Sequence, residues 1–259
     1  MSHTPLISVS VVSHRQAALV DVLLRALAKC VHTPLEVIFT LNVPETLPFE
    51  PAQIGLPVRV LTNEKPKGFG ANHNAAFRVS AGRYFCVLNP DIRFKNDPFP
   101  ALVECLADPR AGVAAPLIRH PAGSIEDSAR RFPTPWTILR KALRGGGLDY
   151  TLGNEVIHPD WIAGMFMLFK HDVFEKIGGF DERYFLYYED VDLCARLASA
   201  GLRVVVCPGA SAVHAARRES RRNLRYLRWH LSSMLRFFFR HLASRRRRAS
   251  NSGVESRGN

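Results

Sequence analysis

Four stretches of this 259-residue chain carry residue types that can do chemistry. The first is Asn89-Pro90-Asp91, directly after the apolar run Arg83–Leu88. In an open α/β sheet, ligands sit beyond the carboxyl ends of the strands. A carboxylate there can hold Mg2+ or Mn2+, which prefer oxygen ligands and often share them with phosphates. An aspartate in a Pro-led turn explains the same residues without a ligand. The second stretch joins Gly178-Gly179-Phe180-Asp181-Glu182 to Tyr187-Tyr188-Glu189-Asp190-Val191-Asp192. Acids walled by aromatic rings gain proton affinity and can act as bases. Acids at a helix start also serve as N-caps. The third is His214, whose neutral ring can ligate a metal if Asp91 lies near; a lone His is more often structural. The fourth is Asn63 to Asn74, NEKPKGFGANHN, where Gly68 and Gly70 allow close backbone approach at a helix start that favours anions. A plain loop-to-helix turn fits that segment equally well.

These residues need elements to hold them, and the apolar patterning supplies the elements. Ile7–Ser13, Leu35–Leu41, Val58–Leu61 and Arg83–Leu88 read as strands. Gln16–Cys30 and Gly68–Ser80 read as the helices between them. Strands alternating with helices imply a largely parallel sheet covered on both faces. Pro98–Ala107 reads as a helix, Val113–Ile118 as a strand, and Trp161–Phe169 as a buried strand-like segment. Val191–Ala200 is a helix stopped by Gly201, and Leu202–Cys207 is a strand. Between Arg119 and Asp160 the periodicity is lost, which marks a functional or mobile loop.

Composition narrows the class. Hydrophobic residues make up 47%, enough for a substantial core. The formal charge is +12, concentrated between Arg217 and Arg248, where twelve Arg stand against one acid, Glu219. The basic balance therefore belongs to a C-terminal appendage and need not describe the chemistry. Leu224–Leu242 has apolar residues at 224, 227, 231, 234, 235, 238 and 242, the stripe of an amphipathic helix. With its arginines it reads as a binder of anionic membrane surfaces, or as a helix packing its stripe on the core. No recognition module accompanies it, so nucleic acid is not an expected partner. The expected organisation is a catalytic domain over 1–216, a basic helix over 217–243 and a disordered tail over 244–259. The cysteines at 30, 86, 105, 194 and 207 have no CxxC spacing and read as buried free thiols of a reducing compartment. No apolar run reaches the roughly 18 residues of a membrane span, and no leader pattern is visible, so the expected location is cytoplasmic or peripheral on the inner membrane face.

The motifs VSVVSH, NEKPKGFGANHN, VLNPDI, SARRFPTP, WIAGMFMLFKHDVFEKIGGFDERYFLYYEDVDLCARLASAG and VHAA follow one another from about Ile7. In this order they resemble a family 2 glycosyltransferase, in the bacterial rhamnosyltransferase-like branch, over the chain to His241. The resemblance implies a GT-A fold, a nucleotide-diphosphate sugar as donor, a divalent ion and inversion at the anomeric carbon. It implies roles residue by residue. Asp91 is the last acid of the metal motif, with Asn89 at its first acidic position, and His214 is the second metal ligand. Asp190 is the base that deprotonates the acceptor hydroxyl, and Glu189 orients it. Ser13 and His14 lie where the first strand meets the nucleotide. Asn63, Gly68 and Asn74 lie beside base, ribose and phosphates, and Trp161 and Gly164 shape the sugar and acceptor pocket. The expected acceptor is a glycan or lipid-linked hydroxyl in bacterial cell-surface polysaccharide or glycolipid synthesis. The resemblance points to thymidine-diphosphate rhamnose as donor. One departure stands out. The family has Asp-Asn after the second strand, whereas this chain reads Phe39-Thr40-Leu41-Asn42-Val43-Pro44, leaving Asn42 or another group to read the base. Two other functions share the architecture: a nucleotidyltransferase, and a non-catalytic nucleotide-sugar-binding relative. The first needs a glycine-rich basic loop after the first strand, where this chain has Ser13-His14-Arg15-Gln16.

Overall fold

The computed structural model describes residues 5–144, 147–215 and 224–255. Its centre is an eight-stranded mixed sheet. The strands are β1 (Ile7–Ser13), β2 (Leu35–Leu41), β3 (Val58–Thr62), β4 (Tyr84–Leu88), β5 (Ile92–Arg93), β6 (Ala111–Arg119), β9 (Phe166–Lys170) and β10 (Arg203–His214), in the order β3-β2-β1-β4-β9-β6-β10-β5. A separate two-stranded ribbon pairs β7 (Ala129–Arg130) with β8 (Trp161–Ile162). Neighbours β1/β2, β2/β3, β1/β4 and β6/β10 are parallel. β9 runs antiparallel between β4 and β6, and β5 antiparallel to β10.

Helices cover both faces, as near-continuous apolar strands require. One face packs on α1 (Ala17–Cys30) and α3 (Phe99–Cys105), with Leu23, Leu24, Leu27, Phe99 and Leu102 fully buried. The other packs on α2 (Phe69–Phe77), α5 (His171–Lys176) and α6 (Glu189–Ser199), around Phe174, Phe180, Leu193 and Leu197. The expected α/β class with a mostly parallel sheet is what the structure has.

Several elements differ from the sequence reading. Trp161–Phe169 is two strands in two sheets, β8 and β9, bent at Gly164. The stretch from Arg119 to Asp160 contains a helix, α4 (Pro135–Arg144). β10 continues past Cys207, because a register shift between Cys207 and Ser211 carries it across Pro208-Gly209 to His214. Cys105 and Cys207 form a disulfide between α3 and β10, with Cα atoms 6.5 Å apart. That corrects the expectation of free thiols, which holds for Cys30, Cys86 and Cys194. Because α3 lies across β10, residues 102 apart in sequence become neighbours.

The C-terminal helix α7 spans Leu224–Glu255, beyond the expected end at 243 and into the segment read as a disordered tail. That segment has no proline and opens, after Ser244, with Arg245–Arg248, a residue type that favours helix. Residues 217–223 and 256–259, parts of the expected basic helix and tail, lie outside the described residues. The stripe expected to pack does so only in part. Leu224, Leu227, Leu231 and Leu235 are exposed, as is Phe239. Met234 and Phe238 of the stripe pack, beside Trp229, Ser233 and Phe237 from the adjoining face.

Candidate active site

Strand ends bring the first and third candidates together. β4 delivers Asn89-Pro90-Asp91, and β5 turns straight back to pair with the end of β10, setting His214 opposite Ile92. His214 Nε2 stands 3.2 Å from Asp91 Oδ2, and Ala215 N donates to the Asp91 carbonyl at 3.0 Å. The other ring nitrogen, Nδ1, lies 3.0 Å from both carboxylate oxygens of Glu126. Burial works against a charge on this ring, yet its hydrogen bonds to the carboxylates of Asp91 and Glu126 outweigh it and lift the imidazole to about 9. Asp91 Oδ1 is buried and has no hydrogen-bond partner.

Two adjoining cavities open beside this corner. The smaller, about 280 Å³, is lined by His14, Asn42, Lys67, Asn72, Pro90 and Asp91. The larger, about 560 Å³, has Glu189 and Asp190 beside Trp161, Gly164, Tyr187 and Tyr188. Phe69, Asn89 and Leu186 line both. The two acids, 91 and 190, thus face neighbouring compartments that share a wall.

Asparagines build the smaller compartment. Asn42 Oδ1 accepts from Lys67 N at 2.8 Å and Asn63 Nδ2 at 3.0 Å, and its amide donates to the Lys67 carbonyl at 3.0 Å. Asn63 also donates to Asn72 Oδ1 at 2.6 Å. Of the residues expected here, His14 and Asn42 line the cavity, whereas Ser13, Asn63 and Asn74 are buried beneath or beside it. Ser13 Oγ donates to Glu45 at 2.5 Å, and Glu45 also accepts from Ala17 N at 2.9 Å, fixing the turn into α1. Asn74 exchanges hydrogen bonds of 2.9 Å with the Phe180 backbone. Gly68 caps α2, and a Cβ there would lie 2.7 Å from the Phe185 carbonyl oxygen.

The larger compartment depends on how α6 begins. Tyr187 and Tyr188 adopt left-handed φ values of 69° and 66°, a conformation bulky residues rarely take. Such strain costs roughly 1–3 kcal/mol per residue and persists only where surroundings over-determine it. Here Phe69 N donates to the Phe185 carbonyl at 2.9 Å, Ser233 Oγ of α7 donates to the Leu186 carbonyl at 2.9 Å, and His230 and Phe237 pack on Tyr188. The strained turn aims Glu189 and Asp190 at the cleft. Asp190 Oδ2 accepts from Gly164 N at 3.0 Å and Oδ1 from Val191 N at 2.8 Å. Burial raises the Asp190 carboxyl, while those two N–H donors and Arg130 pull the other way. Burial and the Asp190 charge raise Glu189 well above the usual carboxylate range, and Glu189 Oε2 has no hydrogen-bond partner. The backbone donors mark Asp190 as the member of the pair that carries the negative charge.

Asp192, fully buried behind this pair, is held by Arg196 at 2.8 Å and by Arg240 of α7 at 3.3 Å. The C-terminal helix is therefore part of the site's scaffold, and His230, Tyr226 and Trp229 line its cavities. The sequence reading did not single out these three, nor Glu126, Phe69 or Asn72, as site residues. The nearest signal for Glu126 is its place two residues ahead of the SARRFPTP motif.

Residues 4–232 match the family described as glycosyltransferase like family 2. The chain belongs to this family. It is 35% identical over 188 residues to the rhamnosyltransferase WbbL of Escherichia coli K12, covering 67% of this chain and 70% of that protein. It is 36% identical over 146 residues to the N-acetylglucosaminyl-diphospho-decaprenol L-rhamnosyltransferase of Mycobacterium tuberculosis, covering 49% of this chain and 45% of that one. Among solved structures it resembles GalNAc-T7 with UDP, GalNAc and Mn2+ at TM-score 0.65 and 16% identity, over 85% of this chain and 45% of the other. It also resembles the mannosyltransferase PcManGT of Pyrobaculum calidifontis with GDP-Man and Mn2+ at TM-score 0.59 and 19% identity, over 84% and 59%. The fold of this glycosyltransferase is GT-A, and family membership sets the nucleotidyltransferase reading aside.

Proposed function

We propose that this glycosyltransferase inverts configuration as it moves a deoxyhexose, rhamnose by analogy with its relatives, from a nucleoside diphosphate to an acceptor hydroxyl. The observation that carries this reading is the paired arrangement of Asp91 and Asp190 in two cavities that share Asn89. The donor's diphosphate fits the smaller cavity, which Asp91 lines with Lys67 and Asn72 of the loop from Asn63 to Asn74; His214 stands behind, 3.2 Å from Asp91. The orphaned Asp91 Oδ1 and His214 Nε2, once it gives up its proton, are two acceptor atoms that fit a divalent cation, Mg2+ or Mn2+. No group of three or more His, Cys, Asp or Glu side chains with metal-binding geometry occurs among the described residues, so the donor's phosphate oxygens would complete the shell. Such an ion, when bound, offsets the negative charge that develops on the diphosphate.

The chain's own residues do the rest. Asp190 takes the proton of the acceptor hydroxyl as its oxygen forms the bond to the anomeric carbon. The carbon–oxygen bond to the diphosphate breaks, and its electron pair leaves with the phosphate. Glu189, protonated in its buried place, keeps a second negative charge away from Asp190. Trp161 and Gly164 bound the acceptor side, with Arg130 and Arg131 on the rim. The segment from Arg119 to Asp160 serves as lid and acceptor surface; its helix α4 contributes Thr137 and Ile138 to the cavity.

The acceptor is a lipid-linked glycan of a cell-surface polysaccharide. α7 offers the membrane contact: its outward Leu224, Leu227, Leu231, Leu235 and Phe239 alternate with Arg225, Arg228 and Arg236, a pattern suited to an anionic surface. No helix among the described residues is long and apolar enough to cross a membrane. The enzyme would then work on the cytoplasmic face as a peripheral protein, with residues 217–243 and the tail as its basic appendage.

A panel of nucleotide-sugars, assayed with Mn2+ and a diphosphate-linked lipid acceptor, tests the reading. Thymidine-diphosphate rhamnose is expected to turn over fastest. Turnover without any activated sugar preference, or none with any donor, contradicts it. Co-sedimentation with anionic vesicles, lost in L231E/L235E, tests the membrane contact; equal binding by both proteins removes it.

A further inference from the structure

We propose that Glu126 is a positioning residue, which holds the His214 ring so that Nε2 presents its lone pair beside Asp91. The proposal rests on reading Asp91 and His214 as a cation site, and it adds a member that neither the sequence motifs nor the comparisons assign.

The fold puts Glu126 there with little freedom. β6 and β10 run parallel with Ile118 opposite Ala212 and Arg119 opposite Val213. Past β6 the chain reverses in a tight turn, where Gly123 N donates to the His120 carbonyl and His120 N to the Ser124 carbonyl, both at 2.8 Å. Glu126 N then donates to the Ile118 carbonyl at 2.9 Å. The returning strand lays Glu126 beside the last residue of β10. Both carboxylate oxygens sit 3.0 Å from Nδ1, on the side of the ring away from Asp91. The side chains of His214, Asp91 and Glu126 are 12%, 16% and 28% exposed, so water competes weakly for these contacts.

A neutral imidazole has one N–H. An ionised carboxylate only accepts, so Glu126 draws that hydrogen to Nδ1. Nε2 is then an acceptor facing a second acceptor, Asp91 Oδ2, at 3.2 Å. Two lone pairs at that distance need a positive charge beside them, a proton before the cation binds or the cation itself afterwards. Without Glu126 the ring can take the other tautomer and donate Nε2–H to Asp91, closing the pair on itself. Carboxylate–histidine pairs behind a metal ligand act in this way, and losing the outer carboxylate typically weakens metal binding by roughly 10–100-fold.

Mn2+ titration of the full-length protein, followed by the electron paramagnetic resonance of free Mn2+, is the test. E126A should weaken Mn2+ binding by roughly 10–100-fold. E126Q, whose amide oxygen still accepts from Nδ1–H, should recover most of the affinity. In the H214A background, E126A should cost nothing further, because its effect passes through the ring. Should E126A fail to fold, E126M keeps the bulk and removes the acceptor. Unchanged affinity in E126A or E126M, or an equal loss with and without His214, overturns the proposal while the cation site stands. A wild-type protein that binds no Mn2+ overturns the cation site and this role with it.

Discussion

The two compartments of the cleft are built in opposite ways. The smaller compartment, the proposed donor side, hangs on strand ends and is held by amide-to-amide hydrogen bonds among Asn42, Asn63 and Asn72. Its single left-handed non-glycine residue, Arg15 at φ 61°, lies between the lining residues His14 and Gln16. The larger compartment, the proposed acceptor side, hangs on a strained turn, Tyr187-Tyr188, walled by rings and braced by α7. A polar shell fixed by the sheet suits the proposed nucleoside diphosphate. An aromatic wall braced by α7 suits the proposed acceptor. The buried Asp192–Arg196–Arg240 cluster ties α6, which carries the second region's two acids, to α7.

The contrast can be broken most severely at that tie. Arg196 donates to Asp192 and to the carbonyls of Ile177 and Gly179. R196A leaves Asp192 buried and poorly compensated, a loss of about 3–5 kcal/mol. Urea unfolding should show it as a lower midpoint. G68A strikes the join itself, since its Cβ would meet the Phe185 backbone at 2.7–2.8 Å. Displacing that turn by about 1 Å should lower kcat about 10²-fold, with the unfolding midpoint moved much less. N63A removes the central donor of the asparagine set. It should cost about 1–3 kcal/mol and raise the KM for the donor while leaving the KM for the acceptor in place. Equal changes in both KM values would mean that the compartments are not separate. The smallest effect is a shift in pH dependence. Because burial raises Asp190, the acid limb of kcat/KM should lie above the ordinary carboxylate range, and activity should fall as pH drops through it. An N-terminal-side control such as E45Q should leave that limb where it is.

The same contrast governs what the sequence could reveal. β1, β2 and β4 announce themselves by apolar β-branched runs, so the donor side was legible, and Asp91 and His214 do meet as the motif resemblance implies. The acceptor side was read only in part. Asp190 was identified within its motif, but the left-handed turn before it has no composition signal, since tyrosine is not a residue that favours such φ values. α7 carries apolar residues on two faces, so periodicity alone could not say that Trp229, Ser233 and Phe237 pack while Leu231 and Leu235 face outward. Glu126 was passed over because its partner lies 88 residues away, beyond the reach of any local pattern. α4 was lost among Pro and Gly residues, although Ile138 and Leu139 lie within it.

The division of labour between the two acids is tested most directly by measuring sugar transfer and donor binding side by side in D190N and D91N. The compartments described here require D190N to lose transfer by about 10²–10⁴-fold while donor binding with Mn2+ persists, and D91N to lose both. Full transfer by D190N, or an equal loss of donor binding in the two variants, would contradict the assignment of base and diphosphate site to separate halves of the cleft.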